Sequence, residues 1–176
     1  VEALAVIDIL RRAGIEVETV SITGNEQVCS AQNITVKADT LFKAQPVCKE
    51  DVLFLPGGPG HKQYNECKPL LKLLEKHHAE GGRIAAICAA PSVLGAAGLL
   101  EGRHATCHPG FEEKLTGAIT SEDAVVVDGN IITSRGMGTA IDFGLAIVDC
   151  LTDFDEEVVE HVKKGIVYRN FEEVWC

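Results

Sequence analysis

The sequence contains no hydrophobic run approaching the roughly 18 residues that a membrane-spanning helix needs. No charged-then-apolar signal peptide opens it, and it has no basic cluster. Its 26 acidic residues outnumber 16 basic ones and give a formal net charge of −10. These features argue against a membrane partner and against nucleic-acid binding through bulk electrostatics. The sequence therefore predicts a soluble, cytoplasmic protein.

Paired cysteine motifs are absent as well. Seven cysteines occur at irregular spacings with no C-x-x-C pair, at positions 29, 48, 67, 88, 107, 150 and 176. An odd number at such spacings disfavours a disulfide framework. We expect reduced thiols, with Cys29 and Cys176 as candidates for exposed, oxidisable ones.

Nucleotide and metal motifs are also missing. There is no G-x-G-x-x-G, and the turn at residues 57–60 lacks the lysine of a phosphate-binding loop. His104, Cys107 and His108 lie close in sequence, but on a strand Cys107 points away from the two histidines. No second ligand pair of suitable spacing appears. We therefore expect no metal and no cofactor.

Composition predicts one globular domain over residues 1–176, since 46% of the residues are hydrophobic and 24% charged. Helical periodicity and turn residues predict helices at 2–13, 66–79, 91–97, 111–115, 139–151 and 156–164. Apolar runs predict strands at 15–22, 28–29, 34–36, 52–55, 83–88, 105–107, 124–127 and 131–133. This alternation indicates an α/β, doubly wound fold with a mainly parallel sheet.

Cys88 lies where an apolar run gives way to a proline-started helix, in residues 83–91 (RIAAICAAP). A nucleophile elbow has this shape, with small residues two before and two after the nucleophile, here Ala86 and Ala90. A helix N-terminus is expected to lower the pKa of such a thiol. The alternative is that Cys88 is a small core residue, because free cysteine is often buried.

Ligands in such folds bind beyond the carboxyl ends of the strands, which brings Cys88 together with residues 56–58 and 134–136. Backbone N–H groups of Gly57, Gly58 and Ala89 would then form an oxyanion hole near Cys88. An ordinary tight turn is the alternative interpretation of the two glycines.

His108 is the best imidazole candidate, because it follows a predicted strand and precedes turn residues. No histidine stands directly after Cys88, since residue 89 is alanine. Solvated surface positions are expected for the other histidines examined, His61, His77, His78 and His161.

Five segments, in order along essentially the whole chain, resemble the ThiJ/PfpI superfamily. They are residues 1–3 (VEA), 9–15 (ILRRAGI), 55–58 (LPGG), 85–91 (AAICAAP) and 133–136 (TSRG). Within that superfamily the chain is similar to the branch of the parkinsonism-associated protein deglycase and its bacterial relatives.

The resemblance implies a flavodoxin-like three-layer sandwich, usually homodimeric, with a reactive elbow cysteine at Cys88. It implies a buried, protonated glutamate that donates a hydrogen bond to the thiolate, and this role falls on Glu2. The family's histidine near the cysteine falls on His108, and an interface arginine falls on Arg12.

Four departures from the family pattern stand out. Ala89 excludes the Cys-His arrangement of the peptidase branch, so a protease is not expected. Met137 stands where relatives often have proline, and Ala31 replaces an arginine. The family also has a first β-strand before the glutamate, so we expect this chain's sheet to lack that strand; an incomplete sequence is the simplest explanation.

The resemblance implies a cofactor-independent enzyme of glyoxalase or deglycase type, acting on methylglyoxal-like dicarbonyls or their early adducts. Cys88 would add to the aldehyde, Glu2 and His108 would move protons, and the N–H groups of Gly58 and Ala89 would hold the oxyanion.

Two other functions fit the same residues. One is a non-enzymatic oxidative-stress sensor or redox-regulated chaperone, in which Cys88 is oxidised to a sulfinate. The other is a degenerate family member without activity.

Overall fold

Apolar residues at helical spacing build the first element of the described chain, helix α1, which buries Val6, Ile9 and Leu10. The computed structural model describes residues 1–43 and 47–168. Its helices are α1 (Glu2–Arg12), α2 (His61–Glu66), α3 (Lys68–Ala79), α4 (Pro91–Ala96), α5 (Ala140–Leu151) and α6 (Glu156–Gly165), with 3₁₀ turns at Glu112–Lys114 and Met137–Thr139. Its strands are β1 (Val20–Ser21), β2 (Gln27–Cys29), β3 (Thr35–Lys37), β4 (Thr40–Leu41), β5 (Val52–Leu55), β6 (Arg83–Ile87), β7 (His104–Ala105), β8 (Ile119–Thr120), β9 (Val125–Asp128) and β10 (Ile131–Ser134).

Four strands form the central sheet in the order β5-β6-β10-β9. The strands β5, β6 and β10 run parallel, and β9 joins through an antiparallel hairpin. Shorter pairs join β1 to β4, β2 to β3 and β7 to β8. The predicted α/β architecture with a mainly parallel sheet is confirmed.

Strand β6 lies at the centre of two hydrophobic layers. Ala85 and Ile87 pack in one cluster with residues of α1 and α5, whereas Ile84 and Ala86 pack in the other with residues of α3 and α4. Successive side chains of a strand point to opposite faces, so helices cover both sides of the sheet. An uninterrupted apolar strand is typical of a parallel sheet buried in this way.

The predicted strand at 15–22 is wrong for most of its length, because only Val20 and Ser21 form β1. The N–H and hydroxyl of Thr19 donate instead to the Asp39 carboxylate, at 2.9 and 2.7 Å. The Val17 carbonyl accepts from Arg11 at 2.9 Å. Side chains thus replace the backbone groups of a neighbouring strand as hydrogen-bond partners here.

Two further boundaries differ from the prediction. The helix expected at 66–79 begins two residues later, as α3 at Lys68, and a separate helix that was not predicted, α2, ends at Glu66; Cys67 divides them with a ψ of 78°, which is not helical. The strand expected at 105–107 lies at His104–Ala105. It ends there because the N–H of Thr106 donates to the Thr133 hydroxyl at 3.0 Å rather than to a strand backbone.

Helix α1 is the first element of the described chain, and among the described residues β5 pairs with β6 alone. The start of α1 lies beside the turn that follows β5, where the Gly57 N–H meets the Glu2 side chain.

Phe143 supports this placement, because its fully buried ring packs in the cluster that joins α5 to α1 and meets Phe54 edge to face at 5.8 Å. We predict that Phe143→Ala lowers the free energy of unfolding by about 3–5 kcal/mol, through lost burial and the cavity it leaves. Urea denaturation measures this change. Phe154→Ala is the control, since that ring is 67% exposed; equal losses in both variants would contradict the assignment.

Candidate active site

Cys88 occupies the predicted elbow between β6 and α4, with a positive φ of 65°. Such a backbone costs about 1–3 kcal/mol for a residue other than glycine and persists only where its surroundings fix it. Here the Cys88 N–H donates to the Ser134 carbonyl, and the Cys88 carbonyl accepts from the His108 N–H, both at 2.9 Å. Ala86 and Ala90 are fully buried on either side. The backbone that carries the half-buried thiol is therefore fixed on both sides of its Cα atom, and the elbow prediction fits this geometry.

Glu2, at the start of α1, reaches the same place. Its Oε2 accepts a hydrogen bond from the Gly57 N–H at 3.1 Å, and both this oxygen and the Cys88 Cβ lie within 2.7 Å of the position that a Cβ atom on Gly57 would take. The nearby Tyr64 hydroxyl donates to the Pro56 carbonyl at 3.0 Å. The two sequence-predicted partners, Glu2 and Cys88, thus lie side by side.

Gly57 makes this approach possible. A Cβ atom at position 57 would lie 2.6 Å from the Cys88 Cβ and 2.7 Å from both Glu2 Oε2 and the Ile87 carbonyl oxygen. No side chain fits there without displacing one of these groups. Because its N–H is already paired with Glu2, Gly57 orients the carboxyl, and the predicted oxyanion role is left to its neighbours.

Those neighbours are Gly58 and Ala89, whose N–H groups lower the pKa of the Cys88 thiol. Gly58 has a φ of +76°, a conformation that glycine adopts without steric cost, and Ala89 is only 4% exposed. That this pair forms an oxyanion hole stays a prediction.

The pKa of the Cys88 thiol is raised above its ordinary value, chiefly by burial. A hydrogen bond and the negative charge of Glu2 raise the pKa further, while the N–H groups of Gly58 and Ala89 lower it. The sequence expectation of a lowered pKa is therefore wrong for this arrangement. A helix N-terminus favours the thiolate, but desolvation and a neighbouring carboxylate outweigh it here.

His108 lies near the thiol without bonding to it. A Cβ atom on Gly136 would lie 3.9 Å from Cys88 Sγ and 3.8 Å from His108 Cδ2, so both side chains border the same glycine. The His108 Nδ1 is 2.9 Å from the Pro109 carbonyl oxygen. A carbonyl only accepts, so this contact assigns the proton to Nδ1 and leaves Nε2 as an acceptor.

Two histidines predicted to be solvated are buried instead, which corrects that expectation. His61 is 9% exposed and His77 only 2%. The Nε2 of His77 lies 3.1 Å from the Asp51 carbonyl and 3.2 Å from that of Arg83. His161 is exposed as predicted, and His78 is half-buried with its pKa lowered by burial.

The remaining predicted residues are exposed. Arg12 is exposed near the end of α1, with its Nε 2.6 Å from Asp8 Oδ2. Ala31 is also exposed, and Met137 is 62% exposed after Gly136.

The described part of the chain contains no group of three or more His, Cys, Asp or Glu side chains that could hold a metal ion. The six described cysteines are free thiols. Cys29 is exposed as predicted, whereas Cys176 lies outside the described residues. Over residues 1–43 and 47–168, no helix is long and apolar enough to cross a membrane.

A sequence profile described as the DJ-1/PfpI family matches residues 1–150. The chain belongs to the DJ-1/PfpI family. Protein dj-1beta of Drosophila melanogaster is 38% identical over 94% of this chain and 89% of its own length. The crystal structure of Drosophila melanogaster DJ-1beta superposes with a TM-score of 0.86 at 36% identity, covering 96% of this chain and 91% of that one. The flavodoxin-like fold implied by the resemblance is thereby confirmed.

Relatives in the family differ in length and in name. Protein DJ-1 homolog B of Arabidopsis thaliana is 41% identical over 89% of this chain, but the chain spans only 36% of that protein. Glutathione-independent glyoxalase DJR-1.2 of Caenorhabditis elegans is 36% identical over 86% of this chain and 81% of its own length. The isonitrile hydratase of Pseudomonas putida is 36% identical over 73% of this chain and 56% of its own length. Membership therefore supports a DJ-1-type function without selecting one reaction.

We predict that Glu2→Gln lowers the pKa of Cys88, because it removes the negative charge that raises that pKa and keeps an amide able to donate. The pH dependence of Cys88 alkylation by iodoacetamide measures this. At pH 7 the rate should rise several-fold, since the thiolate is the nucleophile.

Glu75→Gln is the matched control, because Glu75 is exposed on α3. It should leave the alkylation profile at wild type. A higher Cys88 pKa in Glu2→Gln would instead mean that the carboxyl stabilises the thiolate by donating its proton.

Proposed function

We propose that this protein is a cofactor-independent enzyme of glyoxalase or deglycase type, which converts methylglyoxal-like dicarbonyls or their early adducts. The observation that carries the proposal is that the Glu2 carboxyl and the half-buried Cys88, held on a strained backbone, both pack against Gly57 at the same turn. A nucleophile, a proton acceptor and oxyanion donors thereby share one site. The name of the Caenorhabditis elegans relative supports this reaction class.

The first step is the addition of the thiol to the aldehyde carbon. The sulfur–carbon bond forms as the thiol proton passes to Glu2, and the carbonyl electron pair moves onto oxygen. The N–H groups of Gly58 and Ala89 stabilise that oxyanion until it takes the proton from Glu2. The product is a hemithioacetal. Because burial raises the pKa of Cys88, the thiol needs a proton acceptor beside it to react.

The second step is an internal oxidation and reduction. His108 Nε2 removes the proton from the former aldehyde carbon, and the neighbouring ketone oxygen is protonated to give an enediol. Reprotonation at the ketone carbon, with loss of the other hydroxyl proton, gives a thioester. The aldehyde carbon has been oxidised and the ketone carbon reduced, so no external oxidant or reductant is needed. Water then hydrolyses the thioester, which releases a 2-hydroxy acid and the free thiol.

Wild-type protein should form lactate from methylglyoxal, and Cys88→Ser should abolish this activity. Glu2→Gln should lower kcat by about 10²-fold or more, because its amide cannot accept the thiol proton. Enzymatic measurement of lactate tests both variants. Cys29→Ser is the control, since that exposed thiol lies outside the site. Equal activity in Cys88→Ser would refute the proposal.

The second candidate is a redox sensor or redox-regulated chaperone, in which peroxide oxidises Cys88 to a sulfinate that protonated Glu2 stabilises. One relative, described as oxidized Toxoplasma gondii DJ-1, superposes with a TM-score of 0.88 at 33% identity. Intact-mass analysis after mild peroxide separates the two candidates. Selective gain of two oxygens on Cys88, with no turnover of any dicarbonyl, would favour the sensor.

We also propose that the protein acts as a homodimer in a reducing compartment such as the cytoplasm, where its thiol stays reduced. Leu4, Asp8 and Arg12 follow one another at four-residue spacing and form an exposed face of α1. Light scattering should give the dimer mass for wild type, and Arg12→Glu should lower the dimer fraction. An unchanged dimer in that variant would exclude this face.

A further inference from the structure

The buried imidazole of His61 is not used in the reaction above. His61 begins α2, and it contacts one oxygen twice. Its Nδ1 lies 2.8 Å from the Gly58 carbonyl oxygen, and its backbone N–H donates to the same oxygen at 3.1 Å. Because a carbonyl only accepts, Nδ1 carries the proton in this contact. One residue thus fixes the direction of the Gly58 carbonyl.

The turn that His61 holds has its conformational freedom at its glycines, because its two prolines have a fixed φ. Residues 56–60 (PGGPG) contain three glycines, and glycine loses more conformational freedom on ordering than other residues. Within this turn the Gly57 N–H binds Glu2, and the Gly58 N–H faces the Cys88 sulfur. Small rotations about Gly58 would turn that N–H away, so the turn needs an anchor on its far side.

Packing fixes the His61 ring itself. The ring meets Phe111 edge to face, with centroids 5.6 Å apart and planes at 78°. Phe111 meets the His108 ring in the same manner, at 6.2 Å and 84°. Aromatic pairs favour this geometry. A continuous row of three rings therefore joins the glycine turn to His108, one of the predicted catalytic residues.

We propose that His61 is a positioning residue, whose Nδ1–H holds the glycine turn so that the Gly58 N–H stays aimed at Cys88. The orientation of the Gly58 N–H toward the Cys88 sulfur does not depend on the reaction. Its orientation toward the oxyanion that forms beside that sulfur rests on the proposed function.

Removing this anchor should weaken the interaction between the Gly58 N–H and the thiolate. His61→Leu keeps an apolar side chain of related size but has no donor, so the Cys88 pKa should rise and alkylation at pH 7 should slow several-fold. Under the proposed function, kcat should fall about 10-fold to 100-fold with little change in KM, because an oxyanion donor acts mainly in the transition state.

Conservative variants separate this role from simple core filling. His61→Asn places its amide nitrogen near the position of Nδ1 and should restore the alkylation profile, whereas His61→Gln places it near Nε2 and should not. The control His161→Leu makes the same change at an exposed site. Circular dichroism confirms that each variant is folded, and the Asn and Gln pair keeps the test decisive if His61→Leu does not fold.

The outcomes are distinguishable. If the folded variants keep the wild-type alkylation profile, His61 does not position the turn, whatever happens to thermal stability. If the pKa of Cys88 moves as expected but wild-type protein turns over no dicarbonyl, the positioning role stands and the proposed function fails.

Discussion

The close approach of three elements at Gly57 is the constraint on which the site depends. The start of α1, the turn after β5 and the elbow after β6 meet where a single Cβ atom would come within 2.7 Å of groups from both Glu2 and the elbow. Close packing of this kind transmits small displacements, because protein interiors contain few voids. The α1–α5 interface around Phe143 therefore matters to the chemistry, since it sets where Glu2 arrives.

Strain at Cys88 is offset by bonds that come from elsewhere in the fold. Ser134 ends β10 and His108 follows β7. Their backbones form hydrogen bonds with the N–H and the carbonyl of Cys88, respectively. The parallel register of β6 and β10 aligns Ile87 with Ser134, one residue before the elbow. The carboxyl ends of neighbouring strands thus supply the hydrogen-bond partners that keep Cys88 in its left-handed backbone conformation.

Local patterns predicted the strands of the central sheet, most of the helices and the elbow, but not the environment of the thiol. Ala86, Ala90 and the following proline mark a sharp turn in the sequence alone. The raised pKa of Cys88 has no such local signal, because it comes from burial and from Glu2, which only the tertiary fold brings near. The role of Glu2 came from resemblance for the same reason.

The wrong predictions for His61 and for the strand at 15–22 have a common physical cause. The burial of His61 depends on Phe111, fifty positions later in the chain, so periodicity around His61 could not reveal it. Its place directly after the glycine turn was the available signal. Likewise, Asp39 takes the Thr19 N–H that a strand would otherwise use. In both cases a side chain distant in sequence determines the local structure, which local propensity alone does not.

Opposed influences on one sulfur connect the resting site to the proposed reaction. Burial and Glu2 favour the protonated thiol, whereas the N–H groups of Gly58 and Ala89 favour negative charge. In the resting state these effects act against each other. In the proposed reaction, the proton passes to Glu2 as the sulfur bonds to carbon, and negative charge appears on the adjacent oxygen. Glu2 is then neutral and no longer opposes the charge that the N–H groups of Gly58 and Ala89 favour. Catalysis requires interactions that are stronger in the transition state than before it, and under the proposed function the transfer of one proton to Glu2 supplies them.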